Sequence, residues 1–346
     1  MSRELLTLRN GFTLILLSLF TLSRAQTDEP LLESLASLIK HESFQVKALV
    51  QTVADFQSER SFEGENGFTL TASRLLLFGE LDKGFSYLFQ YDFATPSILL
   101  DAKLRYSAHP AFIVDAGVYK APFSREFLTY AADIDFINRS QVVNALALKR
   151  QIGVQLSGGL VRGLVSYSFG LFNGNGMSRT GNDNGDLMTV GRLALHPNLL
   201  ANRGEGDGLE IAVDCARSRD DGVKLAGYDG GFRGERELLG ADFRLVHNGL
   251  LLAGEYIMAG LEPAGSEKTE TSGYQATAGY FIAPKTQLLL RWDRYSENGS
   301  GSDSDLLILG FNYFPTSPTE LQVNYIVPGG KGPKNHQLLI NFQLSI

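Results

Sequence analysis

The chain has 346 residues, a formal net charge of −7 and one cysteine, Cys215. The acidic balance argues against nucleic acid as a partner, because phosphate backbones are bound by basic surfaces. A single cysteine excludes a disulfide within the chain, and after residue 25 no run reaches the roughly 18 apolar residues that a membrane-spanning helix needs.

The N-terminus has the three parts of a secretory signal peptide over residues 1–25. Arg3 and Arg9 precede an apolar run over residues 12–22, which is followed by small residues near Ala25. We therefore predict cleavage after this alanine and export of the remaining chain. Residues 26–43 then form a short N-terminal periplasmic segment, in which apolar residues at helical spacing from Pro30 to Ile39 predict a short helix.

From residue 44 to residue 346 the hydrophobic pattern has a period of two. Leu100 and Leu104, for example, alternate with Lys103 and Arg105, which gives a strand one apolar and one charged face. We predict an all-β fold, a transmembrane antiparallel β-barrel of about 16 strands over residues 44–346. The predicted strands are 44–56, 67–79, 84–94, 98–108, 111–119, 148–157, 160–172, 187–196, 207–217, 237–247, 250–260, 272–282, 285–295, 304–314, 318–327 and 336–346.

The predicted connections alternate between short and long along the chain. Residues 109–110 and 283–284 are short turns, whereas residues 120–147 and 218–236 are long connections. Outer-membrane barrels show this pattern, with short periplasmic turns and longer extracellular loops. A secreted β-sandwich would also show alternation and turns, and it stays open as an alternative, although sixteen long strands without a domain boundary favour the barrel.

The connection at residues 120–147, the third on the extracellular side by parity, breaks the strand pattern with many charged residues. Lys120 begins the run KAPFSRE, Asp133 begins DIDFINRS, Arg150 begins RQIGVQL and Phe172 begins FNGNG. On these four elements the sequence resembles the phosphate-selective porin O and P family. The resemblance implies a sixteen-stranded outer-membrane porin, usually a homotrimer, whose long third extracellular loop folds into the lumen and narrows the pore.

A porin of this kind would let small hydrophilic solutes diffuse passively across the bacterial outer membrane, surrounded by outer-membrane lipid. Anions such as phosphate are the favoured solutes, because a narrow pore concentrates the electric field of the basic groups that line it. The residues that we expect to line the pore and bind anions are Lys103, Arg105, Lys120, Arg125, Arg139, Lys149, Arg150 and Arg192.

Three acidic residues of the long connection, Glu126, Asp133 and Asp135, are expected to structure the loop. Arg139 and Arg150 are as well suited to holding the loop as to contacting solute, because Asp133 and Asp135 are their neighbours in sequence. The sequence therefore leaves two roles open for these arginines.

Acidic residues also face inward by the same alternation, so the predicted lumen is mixed. A general porin, even a cation-preferring one, is therefore an alternative, as is a plugged barrel that acts as a surface adhesin or receptor. The chain has no G-x-S-x-G nucleophile elbow, and its five histidines lack metal-ligand spacing, so we expect neither an enzyme nor a cofactor. The inward acidic residues are Asp101, Asp115, Asp214, Glu255 and Asp293.

One predicted strand carries a continuous aromatic row on its outer face. Such a row is suited equally to lipid contact and to packing against a neighbouring subunit. Its members are Phe85, Tyr87, Phe89, Tyr91 and Phe93.

Overall fold

The structure is a computed structural model, which describes residues 40–41, 43–177, 180–197, 206–225, 228, 230–297 and 302–346. The predicted signal peptide and the predicted helix from Pro30 to Ile39 lie outside these residues. The strands are β1 (Lys40–His41), β2 (Phe44–Gln57), β3 (Gly67–Glu80), β4 (Phe85–Asp92), β5 (Leu99–His109), β6 (Phe112–Lys120), β7 (Arg150–Leu160), β8 (Val165–Phe172), β9 (Met188–Leu195), β10 (Gly208–Val223), β11 (Phe232–His247), β12 (Leu250–Pro263), β13 (Thr269–Ala283), β14 (Thr286–Glu297), β15 (Ser302–Thr316), β16 (Thr319–Pro328) and β17 (Gln337–Ser345).

Strands β2–β17 form a closed barrel of sixteen antiparallel strands. Each strand pairs with its neighbours along the chain, and β17 pairs with β2, for example Asn341 with Val53. The two residues of β1 pair with the start of β2. Closure leaves no free sheet edge, which a barrel in lipid requires. The predicted fold class is confirmed.

Side-chain alternation along β10 shows how the sequence specifies the inside and the outside of this barrel. Ile211 and Val213 are 46% and 55% exposed on the outer face, whereas Asp214 is 4% exposed and points inward. Apolar side chains that remain exposed on a complete barrel are suited to lipid, while polar groups on the inner face find partners there. The outer surface is therefore an apolar band.

The barrel wall is uneven in height. Strands β4–β9, called here the low wall, have 8 to 11 residues, whereas β10–β15, called here the tall wall, have 12 to 16. The predicted long loop at residues 218–236 is wrong, because β10 continues to Val223 and β11 already begins at Phe232. The charged residues in this range were interpreted as loop residues, yet they belong to the paired strands β10 and β11, where Arg219 lies opposite Glu235.

The turn between β7 and β8 also differs from the prediction. Gly158 and Gly159, expected to form the turn, lie within β7 and pair with β8. The chain reverses instead in a short 3-10 helix, Val161–Gly163, where Val161 and Arg162 adopt φ values of 51° and 56°. Two further 3-10 helices span Asp82–Gly84 and Pro333–Asn335.

Residues 121–149, called here the inner segment, connect β6 to β7 and contain helices α1 (Arg125–Leu128) and α2 (Gln141–Leu146). Its apolar side chains pack against inward side chains of the barrel to form a core in which Phe123, Val142 and Ile257 are 0% exposed. No helix among the described residues is long and apolar enough to cross a membrane.

Candidate functional site

The inner segment is held to the tall side of the barrel by buried carboxylates. Each carboxylate accepts a backbone N–H group, which satisfies both a buried donor and a buried charge. The bonds join Ser124 to Asp214 at 3.2 Å, Glu126 to Glu255 at 3.0 Å and Gln141 to Asp293 at 2.9 Å. The three acceptors were expected to dilute the positive charge of the lumen, but here they are 1–4% exposed and bonded to the segment.

Glu126, predicted to structure the loop, is the centre of a second network. Its carboxylate accepts hydrogen bonds from the Ser140 hydroxyl at 2.6 Å and from Arg291 Nη2 on β14 at 2.8 Å. Arg291 also donates to the carbonyl of Asn138 at 3.1 Å and lies over the Phe136 ring at 4.2 Å. One ion pair thus joins both halves of the inner segment to the wall.

The two predicted loop aspartates have different surroundings. Asp135 accepts two hydrogen bonds from Arg244 on β11, at 2.6 and 3.1 Å, so it is tied to the barrel wall. Asp133 is exposed and interacts electrostatically with Lys47 and Lys120. Neither aspartate forms an ion pair with Arg139 or Arg150 in the described structure, contrary to the pairing suggested by their proximity in sequence.

Side-chain amides on the remaining wall also hold the inner segment, and none of them is among the site residues predicted from the sequence. Gln51, Gln322 and Gln343 donate to segment carbonyls at 3.0 to 3.3 Å, and Asn324 accepts the Ile137 N–H at 2.9 Å. The signal was available, because glutamine and asparagine alternate with apolar residues along β16 and β17. Because these inward amides bond to the inner segment, this part of the lumen is occupied by the segment and is not open to water.

Lys120 and Arg139 bind backbone carbonyls at the end of α1. The Lys120 ammonium donates to the carbonyls of Phe127 and Thr129, each at 2.8 Å, and to that of Leu128 at 3.3 Å. Arg139 donates to the carbonyls of Glu126 at 3.1 Å and Thr129 at 3.0 Å. Within the described residues neither side chain forms an ion pair with a carboxylate, so both are held by backbone carbonyls instead.

The predicted basic residues on β5 and β7 meet carboxylates on other strands, Arg105 on the adjacent β6 and Arg150 two strands away on β5. Arg105 makes two bonds to Asp115, at 2.7 and 2.8 Å, and Arg150 makes two to Asp101, at 3.0 and 2.9 Å. The Lys103 ammonium is 3.6 Å from Asp115, whose oxygens already bind Arg105. Lys103 therefore carries excess positive charge.

Two of the predicted arginines, Arg192 and Arg125, lie at the junction with the tall wall. The Arg192 guanidinium is 9% exposed and contacts Glu210, Asp214 and Asp242 at 2.6 to 2.8 Å. The Arg125 Nε is 3.9 Å from Glu210. Because carboxylates already surround the Arg192 guanidinium, its geometry favours a structural role.

Lys149 lies apart from the other predicted residues. It is exposed, adopts a φ of 59° immediately before β7 and interacts electrostatically with Lys224 and Arg236. Burial of part of the side chain lowers the pKa of its ammonium below the ordinary value.

Six basic side chains, called here the basic wall, occupy the side of the lumen formed by β3–β7 and the adjoining inner segment. A cavity of about 410 Å³ lies between this side and the segment. The acidic residues here, Asp92, Asp101 and Asp115, are each paired with an arginine, which leaves Lys103, Lys120 and Arg139 in excess. The basic wall comprises Arg74, Lys103, Arg105, Lys120, Arg139 and Arg150.

Charge in the lumen is therefore segregated. Asp214, Glu255 and Asp293 on β10–β14 are buried against the inner segment, whereas Lys103 and Lys120 line the cavity. Within the described ranges, no three histidine, cysteine, aspartate or glutamate side chains are grouped so as to hold a metal ion. The cavity is suited to attracting anions from water.

Gly117 fixes the position of Lys103. It has a φ of 131°, pairs with Lys103, and a Cβ there would lie 2.0 Å from the Ala102 carbonyl oxygen. We expect Gly117→Ala to destabilise the barrel by about 1–3 kcal/mol, because the strained backbone and the clash must both be relieved. Heat-denaturation in detergent measures this loss. Gly181→Ala, where no atom lies within 4 Å, is the matched control, and equal stability of the two variants would contradict the prediction.

Comparison with known proteins agrees with this geometry. Residues 44–203 match the family model of phosphate-selective porin O and P. No curated protein sequence matches the chain at a significant level.

Solved structures share the fold at low sequence identity. The anion-selective porin from Comamonas acidovorans is similar with a TM-score of 0.64 and 14% identity over 88% of this chain and 99% of its own. The trimer form of OmpT of Vibrio cholerae gives 0.59 and 12% over 88% and 99%, and the outer membrane channel DcaP of Acinetobacter baumannii gives 0.60 and 13% over 88% and 97%. Residues 44–203 are thus similar to the phosphate-selective porin O and P family, and the chain shares the barrel fold of these solved structures.

Proposed function

We propose that this protein is an outer-membrane porin through which small hydrophilic anions, such as phosphate, diffuse passively. The observation that carries the proposal is that Lys103 and Lys120 line the lumenal cavity without an arginine-like bidentate carboxylate partner, while Asp214, Glu255 and Asp293 of the opposite wall are bonded to the inner segment. A ring or patch of basic side chains in a narrow pore favours anions.

The inner segment serves as the constriction of this pore. Its hydrogen bonds to several strands hold it inside the barrel, where it reduces the lumen to the space beside the basic wall. Low-dielectric walls then concentrate the field of the excess charges on the ion path. Lysine offers a compact, mobile charge from which an anion can move on, whereas the paired arginines keep the wall in shape.

The location of the porin is the bacterial outer membrane. The family match and the closed barrel with an apolar exterior support this location, and they favour a channel over an enzyme. Residues 1–25 are the signal peptide of the proposed export route, and residues 26–43 are the periplasmic segment that precedes the barrel. Outer-membrane lipid contacts the exposed apolar side chains.

The functional assembly that we propose is a homotrimer, with the low wall as its subunit interface. The trimer form of the similar Vibrio cholerae structure supports this assembly, as does the aromatic outer face of β4, where Phe85 and Phe89 are 38% and 39% exposed. Short strands bring neighbouring subunits close over a compact apolar area.

Two charges placed in this aromatic face are expected to weaken the trimer. Tyr87→Arg combined with Phe89→Arg buries guanidinium groups in an apolar interface, which is costly without partners. Heat-resistant oligomers on semi-native gels and the mass in detergent measure the effect. Leu288→Arg with Leu290→Arg, on the outer face of β14 and away from the short strands, is the control for charge on the lipid-facing surface. Trimers equally resistant in both variants and the parent would rule out this face as the interface.

The experiment that tests the proposed function is planar-bilayer conductance of the purified barrel under a KCl gradient. The sign of the reversal potential reports whether chloride or potassium passes more readily, and phosphate is then titrated. Anion-selective channels that phosphate blocks support the proposal. Channels that prefer potassium would mean a cation-preferring porin, and folded protein without channels would mean a plugged adhesin or receptor barrel.

A further inference from the structure

The cavity beside the basic wall is half apolar. Leu76 and Leu88 point into it from β3 and β4, and Pro122 and Leu128 face it from the inner segment. The Tyr119 ring lies on the same side, with the Lys103 ammonium 5.5 Å from its centre. An inorganic anion gains nothing from such a surface, whereas an apolar group that covers it gains the free energy of leaving water.

Two polar groups on the cavity wall have no hydrogen-bond partner within the described structure. They are Nε2 of Gln90, a residue that is 4% exposed, and the hydroxyl of Tyr130. A buried donor without a partner is costly, so such groups are rare unless something else binds them. Both are donors, which suits an acceptor such as a carboxylate.

We propose that this cavity is a binding site for organic anions that combine a carboxylate with an apolar ring, of the class of aromatic carboxylates. The carboxylate lies beside the Lys103 ammonium and accepts from the partnerless donors of Gln90 and Tyr130, and the ring lies against Leu76 and Leu88. A volume of about 410 Å³ holds a single ring with its carboxylate. This inference rests on the proposed anion-selective porin and names a solute class for its pore.

The test compares benzoate with acetate as blockers of the KCl conductance in planar bilayers at pH 7. Both are fully ionised monocarboxylates at this pH. They differ in the group attached to the carboxylate, which is a phenyl ring in benzoate and a methyl group in acetate. We expect benzoate to halve the conductance at a concentration at least tenfold below that of acetate. Bilayers without protein control for partition of benzoate into lipid.

The reversal potential in KCl, measured on the same channels, separates the two proposals. Anion-selective channels that benzoate and acetate block at equal concentrations would overturn the organic-anion site and leave the porin proposal intact. Cation-selective channels, or none, would overturn the porin proposal and this inference with it.

Variants of the apolar face provide the second test. Leu76→Gln with Leu88→Gln is expected to reduce the preference for benzoate over acetate to less than threefold. The matched control, Leu76→Met with Leu88→Met, keeps the surface apolar and is expected to keep the preference. Leu88→Gln alone serves if the double variant does not fold, because Leu88 is only half-buried. An unchanged preference for benzoate over acetate in the glutamine variant would overturn the proposed organic-anion site.

Discussion

Lys103→Gln is expected to reduce the permeability of chloride relative to potassium by at least about fourfold. A unit charge acts on an ion about 5 Å away with about 0.8 kcal/mol in water, which is a factor of about four for chloride alone. The loss of repulsion on potassium and a drier pore both increase the change in the ratio. Lys103 is the clearest target because Arg105 already binds both oxygens of Asp115, so the lysine is not needed to compensate that carboxylate.

The measurement is the reversal potential in a KCl gradient, with single-channel conductance as a check that the pore remains intact. Lys334→Gln is the matched control, since it makes the same change in net charge at an exposed ion pair with Glu59, 2.9 Å away, between β16 and β17. An unchanged reversal potential in the Lys103 variant, or an equal shift in both, would mean that the basic wall does not select the ions.

The barrel could be predicted from the sequence because a period of two persists along most of each strand. All sixteen predicted strands are present, and parity gives the side that Lys103 and Asp115 face. A bulge in β3 reverses the parity, since Leu70 is exposed and Ala72 is buried. The errors lie at strand ends. Charged residues such as Arg219 continue the ladder above the apolar band, where hydropathy no longer distinguishes strand from loop.

Partners inside the barrel could not be predicted in the same way. Arg150 was placed near Asp133 and Asp135 by sequence, but its carboxylate is Asp101, 49 residues away and two strands across the inner surface. Parity gives the face, whereas the choice of partner depends on strand stagger and barrel curvature. Helices α1 and α2 have 4 and 6 residues, which is too short for helical periodicity to be visible.

The charge balance of the lumen could not be predicted from the sequence either. Counting inward residues gives a mixture of acids and bases, which weakened the expectation of anion preference. The structure separates them, because backbone N–H groups of the inner segment bind Asp214, Glu255 and Asp293. Backbone donors carry no signal in the sequence, so the burial of these carboxylates could not be read from side chains alone.

The anchoring of the inner segment leads to the second large prediction, for Arg291→Met. The guanidinium is 3% exposed and binds Glu126, the Asn138 carbonyl and Thr277. Its loss leaves the buried Glu126 carboxylate near Glu255 without a counter-ion, and removing one partner of a buried pair costs about 3–5 kcal/mol. We expect earlier heat-denaturation in detergent.

The same change is expected to alter the channel itself. Without Arg291 the halves of the inner segment lose their common attachment to β14, so the constriction widens and fluctuates. Single-channel recordings should then show a larger, noisier conductance with weaker anion preference, because the field of the basic wall acts across a wider aqueous path. Arg217→Met, at an exposed pair with Glu235 on the outer face, is the matched control and should leave both stability and conductance as in the parent. A stable Arg291 variant with parental conductance would show that the amides and carboxylates of the other strands suffice to hold the segment, which would make the constriction a property of the whole lumen and not of one ion pair.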